Sequence, residues 1–241
     1  MDYNVIKDLV ICFGILMSIF PTISFLVYAN LKNLSFVRPF FLGIFLYIMH
    51  FIFNLYFVKF IVKNVYNLNV PADVFICEVL PLFLSSLFIF MSRIWAFYKI
   101  FNKTSNLFFS AISLSVGYCT LFNIFNCGIF RIVFLDIFSE IRTRILFFKN
   151  FHNFWVIIND SIYSLVIFYV LKKNFKYKSA ILAIVFILDY LNLYISHFIL
   201  IRLPKWYYEE LYLISTNFIF LIFCFVLYKK YKKDNLINLR V

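Results

Sequence analysis

Asp160 and Asp189 are the residues of this chain best placed to do acid–base chemistry. Each stands inside a long apolar run, where an ionisable side chain is expensive to keep and turns toward the bundle interior or a cavity. Two carboxylates at similar depth on consecutive helices can hold one proton between them. One then serves as general acid and the other as general base, as peptide hydrolysis requires. The plainer alternative is that both are protonated, or pair with Arg93 and with neighbouring Ser, Asn and Tyr groups. Arg93 lies toward one end of its own run, within snorkelling reach of lipid head groups. Tyr118 and Asn123 complete a candidate intramembrane polar cluster of Arg93, Tyr118, Asn123, Asp160 and Asp189.

The other chemistry-bearing side chains are less organised. His152, Asp160 and His197 would be the ligands of a metal site, but no two histidines share the i, i+3 or i, i+4 spacing that puts ligands on one helix face. His50 stands alone in an apolar run. Cys12, Cys77, Cys119, Cys127 and Cys224 lack CxxC spacing and read as inert thiols within or beside apolar segments. Glu209 and Glu210 follow Trp206 at the mouth of the last run and read as interfacial. No metal and no cofactor are expected.

The elements that must hold these residues follow from composition. Of 241 residues, 64% are hydrophobic and 14% charged, and the mean hydropathy is +0.92. A water-soluble domain of this length needs a polar surface that this sequence cannot supply. A helix crosses the hydrocarbon core with about 20 apolar residues. Runs at 9–29, 40–62, 73–100, 107–125, 151–171, 180–200 and 206–228 meet that length. The expectation is therefore an all-α, polytopic transmembrane bundle of about seven spans, with residues 1–241 forming one integral membrane domain. Pro21 falls inside the first run as a kink, and the third holds Glu78 and Pro81. The start of the chain reads as a span and not as a cleaved leader, since the run is too long and no small-residue cleavage site follows it.

Residues 129–149 mix Phe, Ile and Leu with Arg131, Asp136, Glu140, Arg142, Arg144 and Lys149. They read as an amphipathic helix lying on the membrane surface. In 107–125, Ala111, Ser115 and Cys119 form a row of small residues with Gly117 close by, which lets neighbouring helices approach and marks this run as the central one.

The net charge of +12 is spread between the apolar runs and not gathered on one face, which fits lipid head groups and argues against a nucleic-acid partner. With the N-terminus outside, the inner connectors and tail hold thirteen Lys and Arg: Lys32, Arg38, Lys99, Lys103, Lys172, Lys173, Lys176, Lys178, Lys229, Lys230, Lys232, Lys233 and Arg240. The outer side holds nine, from Lys7 to Lys205. The bias places the C-terminus in the cytoplasm.

Several stretches together resemble the YhfC family of bacterial intramembrane endopeptidases, relatives of the PrsW-like and CAAX-type proteases. Gly43-Ile44-Phe45-Leu46-Tyr47 is similar to an early Gly-x-x-x-Phe stretch of the family. Leu87 to Arg93 falls where the family has Glu-Glu-x-x-Arg; Arg93 is kept, while Ile89 and Phe90 replace the glutamates. Ser115 to Phe122 falls on a Gly-x-Gly-His-Gly-x-x-Glu helix, with Gly117 kept, Tyr118 replacing the histidine and Phe122 the glutamate. Asp160 stands at a usual histidine, and Ile187-Leu188-Asp189-Tyr190 is similar to the later His/Asp helix without its histidine. The resemblance implies the fold of an intramembrane protease in a bacterial plasma membrane.

Hydrolysis in such a site needs a base to activate water and a donor or metal for the oxyanion. Ile89, Phe90 and Phe122 supply neither. The leading expectation is thus a non-catalytic relative, a scaffold that binds lipid and a membrane-protein partner. The alternatives are an active endopeptidase working through Asp160 and Asp189, and a small-solute or ion transporter.

Overall fold

The computed structural model describes residues 3–32, 35–66, 79–101, 106–126, 140–172 and 177–202, and single positions between 212 and 229. Every regular element among them is helical: α1 (Tyr3–Leu31), α2 (Val37–Ile52), a π-helical stretch (Phe53–Val58), α3 (Lys59–Tyr66), α4 (Leu80–Phe101), α5 (Leu107–Asn126), α6 (Glu140–Lys172) and α7 (Lys178–Arg202). Helices satisfy all their backbone polar groups internally, which is the condition for lying in hydrocarbon. Four stretches among the described residues are long and apolar enough to cross a bilayer: Val37–Ile61, Leu80–Ile100, Trp155–Lys172 and Lys178–Ile195. Shorter apolar helices cover Ile19–Leu31 and Leu107–Asn123. The outer faces suit lipid, with Phe41, Phe57, Met91, Ile187 and Leu188 all exposed. The described positions between 212 and 229 are helical, and all but Lys229 fall within the expected run 206–228.

Three boundaries differ from those read in the sequence. The run expected at 40–62 is one helical rod that switches to π geometry at Phe53 and returns to α at Lys59. Helix α1 begins earlier than the expected run, at Tyr3, and holds Pro21 inside it, as membrane helices tolerate better than soluble ones. The surface helix expected over 129–149 is not a separate element from Glu140 onward, because α6 is continuous from Glu140 to Lys172. Nothing between those residues breaks a helix, since neither Gly nor Pro occurs there. Its 33 residues extend about 50 Å, well beyond a hydrocarbon core of about 30 Å, so α6 outruns the membrane interior. Residues 129–139 lie outside the described residues.

Helix α5 is the centre of the bundle, packed against α1, α2 and α6. Ala111 and Ser113 are fully buried, and Ser110, Leu114, Ser115, Val116 and Cys119 nearly so. The closest approach is between α2 and α5. A Cβ on Gly43 would fall on the Leu114 carbonyl oxygen and within 2.7 Å of the Tyr118 amide nitrogen. A Cβ on Gly117 would fall on the Phe40 carbonyl oxygen. Only glycine at both positions lets the two backbones meet. Ser113 Oγ donates to the Phe36 carbonyl oxygen across the same seam (2.8 Å). On the other side of α5, Leu46, Phe90, Phe97, Ile100, Leu114, Ile167 and Phe168 form the main apolar core, with Val185 of α7 at its edge. The α6–α7 turn is tied by Lys178 Nζ, which donates to the Leu171 carbonyl oxygen (2.6 Å) near the end of α6.

Candidate functional site

Arg93 projects from α4 into the bundle and is 6% exposed. Its Nη2 forms an ion pair with Asp160 Oδ1 on α6. Its Nη1 donates to Asp189 Oδ2 on α7 at 3.3 Å. One guanidinium therefore ties three helices together. Of the two readings of Arg93, snorkelling and pairing with the aspartates, the side chain takes the second: it turns inward to carboxylates on two neighbouring helices. The fork of guanidinium donors suits this task, because separate nitrogens can reach separate acceptors.

Asp160 is fixed from its backbone as well. The Ser115 hydroxyl donates toward Ser164 Oγ (2.7 Å) and toward the Asp160 carbonyl oxygen (3.1 Å). The small-residue row on α5 thus does two things. Ala111 and Cys119 allow close packing, and Ser115 between them makes polar contact with α6.

Tyr118 turns away from this cluster to a second one. Its hydroxyl lies 2.6 Å from His50 Nδ1. The other ring nitrogen, Nε2, lies 2.7 Å from Ser85 Oγ and 2.8 Å from Asn54 Nδ2, and Asn54 Nδ2 also donates to Ser85 Oγ at 3.3 Å. This polar knot joins α2, α4 and α5. Asn54 belongs to the π-helical stretch, a geometry frequent at functional sites. Phe88 stacks on the His50 ring, with centroids 5.7 Å apart. Tyr47 meets both Tyr118 and Phe122 edge-on. Asn123 is buried farther along α5, about 7.5 Å of helix rise past Tyr118.

Of the five residues expected to cluster, the structure brings together Arg93, Asp160 and Asp189. It gives Tyr118 to His50 instead. His50 carried little weight in the sequence as a lone histidine, and Ser85, Asn54 and Ser164 carried none, because hydroxyls and amides in apolar helices leave no periodic signal. Gly43 and Gly117 did leave one. They are two of only four glycines in 241 residues.

The arrangement limits the chemistry. Asp160 and Asp189 bind separate nitrogens, Nη2 and Nη1, of one guanidinium. Phe90 is buried in the core, and Phe122 packs edge-on against Tyr47. Among the described residues no group of three or more His, Cys, Asp and Glu could hold a metal ion. Asp160 is engaged by Arg93, whereas the side chains of His152 and His197 lie outside what is described, as do Glu78, Glu209 and Glu210. No family model, curated protein or solved structure matches this chain.

Proposed function

We propose that this chain is a multi-pass protein of a bacterial plasma membrane, with about seven spans and a YhfC-like intramembrane-protease fold that no longer cuts. Its work is then that of a scaffold for a membrane-protein partner, with the N-terminus outside and the C-terminus in the cytoplasm. The single observation that carries the non-catalytic reading is the pairing of both candidate carboxylates with Arg93. A carboxylate paired with a guanidinium is a poorer base for activating water than a free one. Four apolar helices of spanning length and the excess of Lys and Arg on one set of connectors support the membrane topology.

The test is direct. The purified chain is reconstituted in liposomes with single-span peptides of varied sequence, and products are sought by mass spectrometry. No new cleavage is expected, and Asp160→Asn and Asp189→Asn should leave the peptides as the parent does. A defined product that disappears in either variant would replace this reading with that of an active endopeptidase.

A further inference from the structure

The charges of the central cluster do not balance. Asp160 and Asp189, if both ionised, place two negative charges against the one positive charge of Arg93. Arg93 and Asp160 are buried, at 6% and 9% exposure, and Asp189 is half-buried, its side chain 17% exposed. An uncompensated charge at such depth is among the costliest features a membrane bundle can hold. The neighbouring groups do not cancel it. Tyr163 on α6 and Tyr118 and Cys119 on α5 lie in the field of the cluster, and each is neutral at pH 7 by its ordinary chemistry. His50 on α2 is also within the field of Arg93, but its contacts are with Tyr118, Ser85 and Asn54.

A second observation points the same way. Asn192 follows Asp189 by three residues on α7, hence on the same face. It is 8% exposed, whereas its neighbours Leu191 and Leu193 face outward. Its Oδ1 is buried with no hydrogen-bond partner among the described residues. A buried carbonyl oxygen without a donor is uncommon and asks for a ligand. Here it stands one turn from a carboxylate in a cluster that lacks one positive charge.

We infer that Arg93, Asp160, Asp189 and Asn192 form a site for one exchangeable monovalent cation, a proton or a sodium-sized ion, held between α4, α6 and α7. A single positive charge brings the cluster to neutrality, and a divalent ion would overshoot it. Carboxylate and amide oxygens are hard donors, suited to an alkali ion or a proton and not to a thiophilic metal. The inference goes beyond the scaffold reading and holds whether or not the chain cuts peptides.

The experiment uses the purified full chain in detergent, with thermal unfolding as the readout. Sodium chloride replaces choline chloride at constant ionic strength, and pH is varied separately. A ligand that binds the folded chain alone raises the melting temperature as its concentration rises. For a proton the sign follows from linkage: the folded chain holds more protons than the unfolded one, so the melting temperature rises as pH falls. Dependence on sodium identifies an alkali-ion site, and dependence on pH alone identifies a proton site. Asp189→Asn, which removes one negative charge and keeps an acceptor for Arg93, should flatten either dependence. Asn192→Leu keeps every charge and should weaken sodium binding about tenfold, the equivalent of one lost ligand. His50→Gln should leave the dependence in place. A parent protein indifferent to both sodium and pH, or a dependence that survives Asp189→Asn or vanishes in His50→Gln, overturns the inference. If Asp189→Asn does not fold, Asp160→Asn takes its place under the same criterion.

Discussion

Replacing Gly117 by alanine should force α2 and α5 apart. Two terms favour the substitution: alanine is the better helix former, and it narrows the unfolded ensemble, together worth about 1 kcal/mol. Against them stands geometry. The new Cβ would fall on the Phe40 carbonyl oxygen, 2.8 Å from its carbonyl carbon and 3.0 Å from its Cα. These are backbone atoms and cannot rotate aside, so the helices must separate by about 1 Å merely to relieve the overlap. A gap of that size forfeits up to half of each dispersion contact. Over some tens of atom pairs at about 0.1–0.2 kcal/mol each, the loss is on the order of 2 kcal/mol. The same movement stretches the Ser113 bond to the Phe36 carbonyl and the Tyr118–His50 bond, both of which cross this seam. At about 1 kcal/mol each, they bring the gross cost near 4 kcal/mol and the net destabilisation to about 3 kcal/mol. At about 2–4 °C per kcal/mol, thermal unfolding in detergent should drop by roughly 6–12 °C. Gly43→Ala should do the same, and the double variant should cost clearly less than the sum, because both push the same pair of helices. A Gly117→Ala protein as stable as its parent would refute the reasoning.

Other outcomes follow from the polar seams and the core. Ser164→Ala removes the partner of Ser115 at a fully buried position and should cost about 0.6 kcal/mol and no more than about 1.7 kcal/mol, the range for hydrogen bonds between membrane helices; chemical unfolding in mixed micelles reads it. His50→Leu deprives Tyr118, Ser85 and Asn54 of a common partner and should cost about 1–3 kcal/mol, with faster amide exchange concentrated around Phe53–Val58. Phe168→Ala leaves a cavity at a side chain that is 1% exposed. In lipid the transfer term largely vanishes, so the cavity term of about 2 kcal/mol should remain in place of the 3–5 kcal/mol typical of soluble cores. The exposed Phe57 replaced by alanine should change stability by less than about 0.5 kcal/mol.

How far the sequence led depends on the kind of signal each feature leaves. Long apolar runs are visible because the bilayer imposes a length, and the runs at 40–62, 73–100, 151–171 and 180–200 each overlap a stretch of the structure long and apolar enough to span. The central position of α5 was legible from Ala111, Ser115, Cys119 and Gly117, since small residues are rare in so bulky a chain. Element limits were less legible. The charges in 140–149 looked like a surface helix, but charge patterning does not say whether a helix stops, and only Gly, Pro or a cap would have stopped α6 at Phe151. The π geometry at Phe53–Val58 has no composition signature at all. Among the polar residues, Asp160 and Asp189 stood out because carboxylates are conspicuous in hydrocarbon. Their pairing with Arg93 depends on how α4, α6 and α7 are rotated about their axes, and apolar all round, these helices do not disclose that rotation. The same applies to Tyr118, whose choice of His50 over Arg93 is a matter of where α2 crosses α5.

The coupling between Arg93 and the two aspartates is the most direct test of this account. Stability is measured for Arg93→Met in the parent chain and again in a chain already carrying Asp160→Asn and Asp189→Asn. In the parent, the substitution strands the buried Asp160 and the half-buried Asp189 and should cost about 3–5 kcal/mol. In the amide background it strands none and should cost about 1 kcal/mol, a coupling above about 2 kcal/mol. A coupling within about 0.5 kcal/mol of zero would mean that Arg93 does not hold these acids, and the reading of Asp160 and Asp189 as its counter-ions would fall.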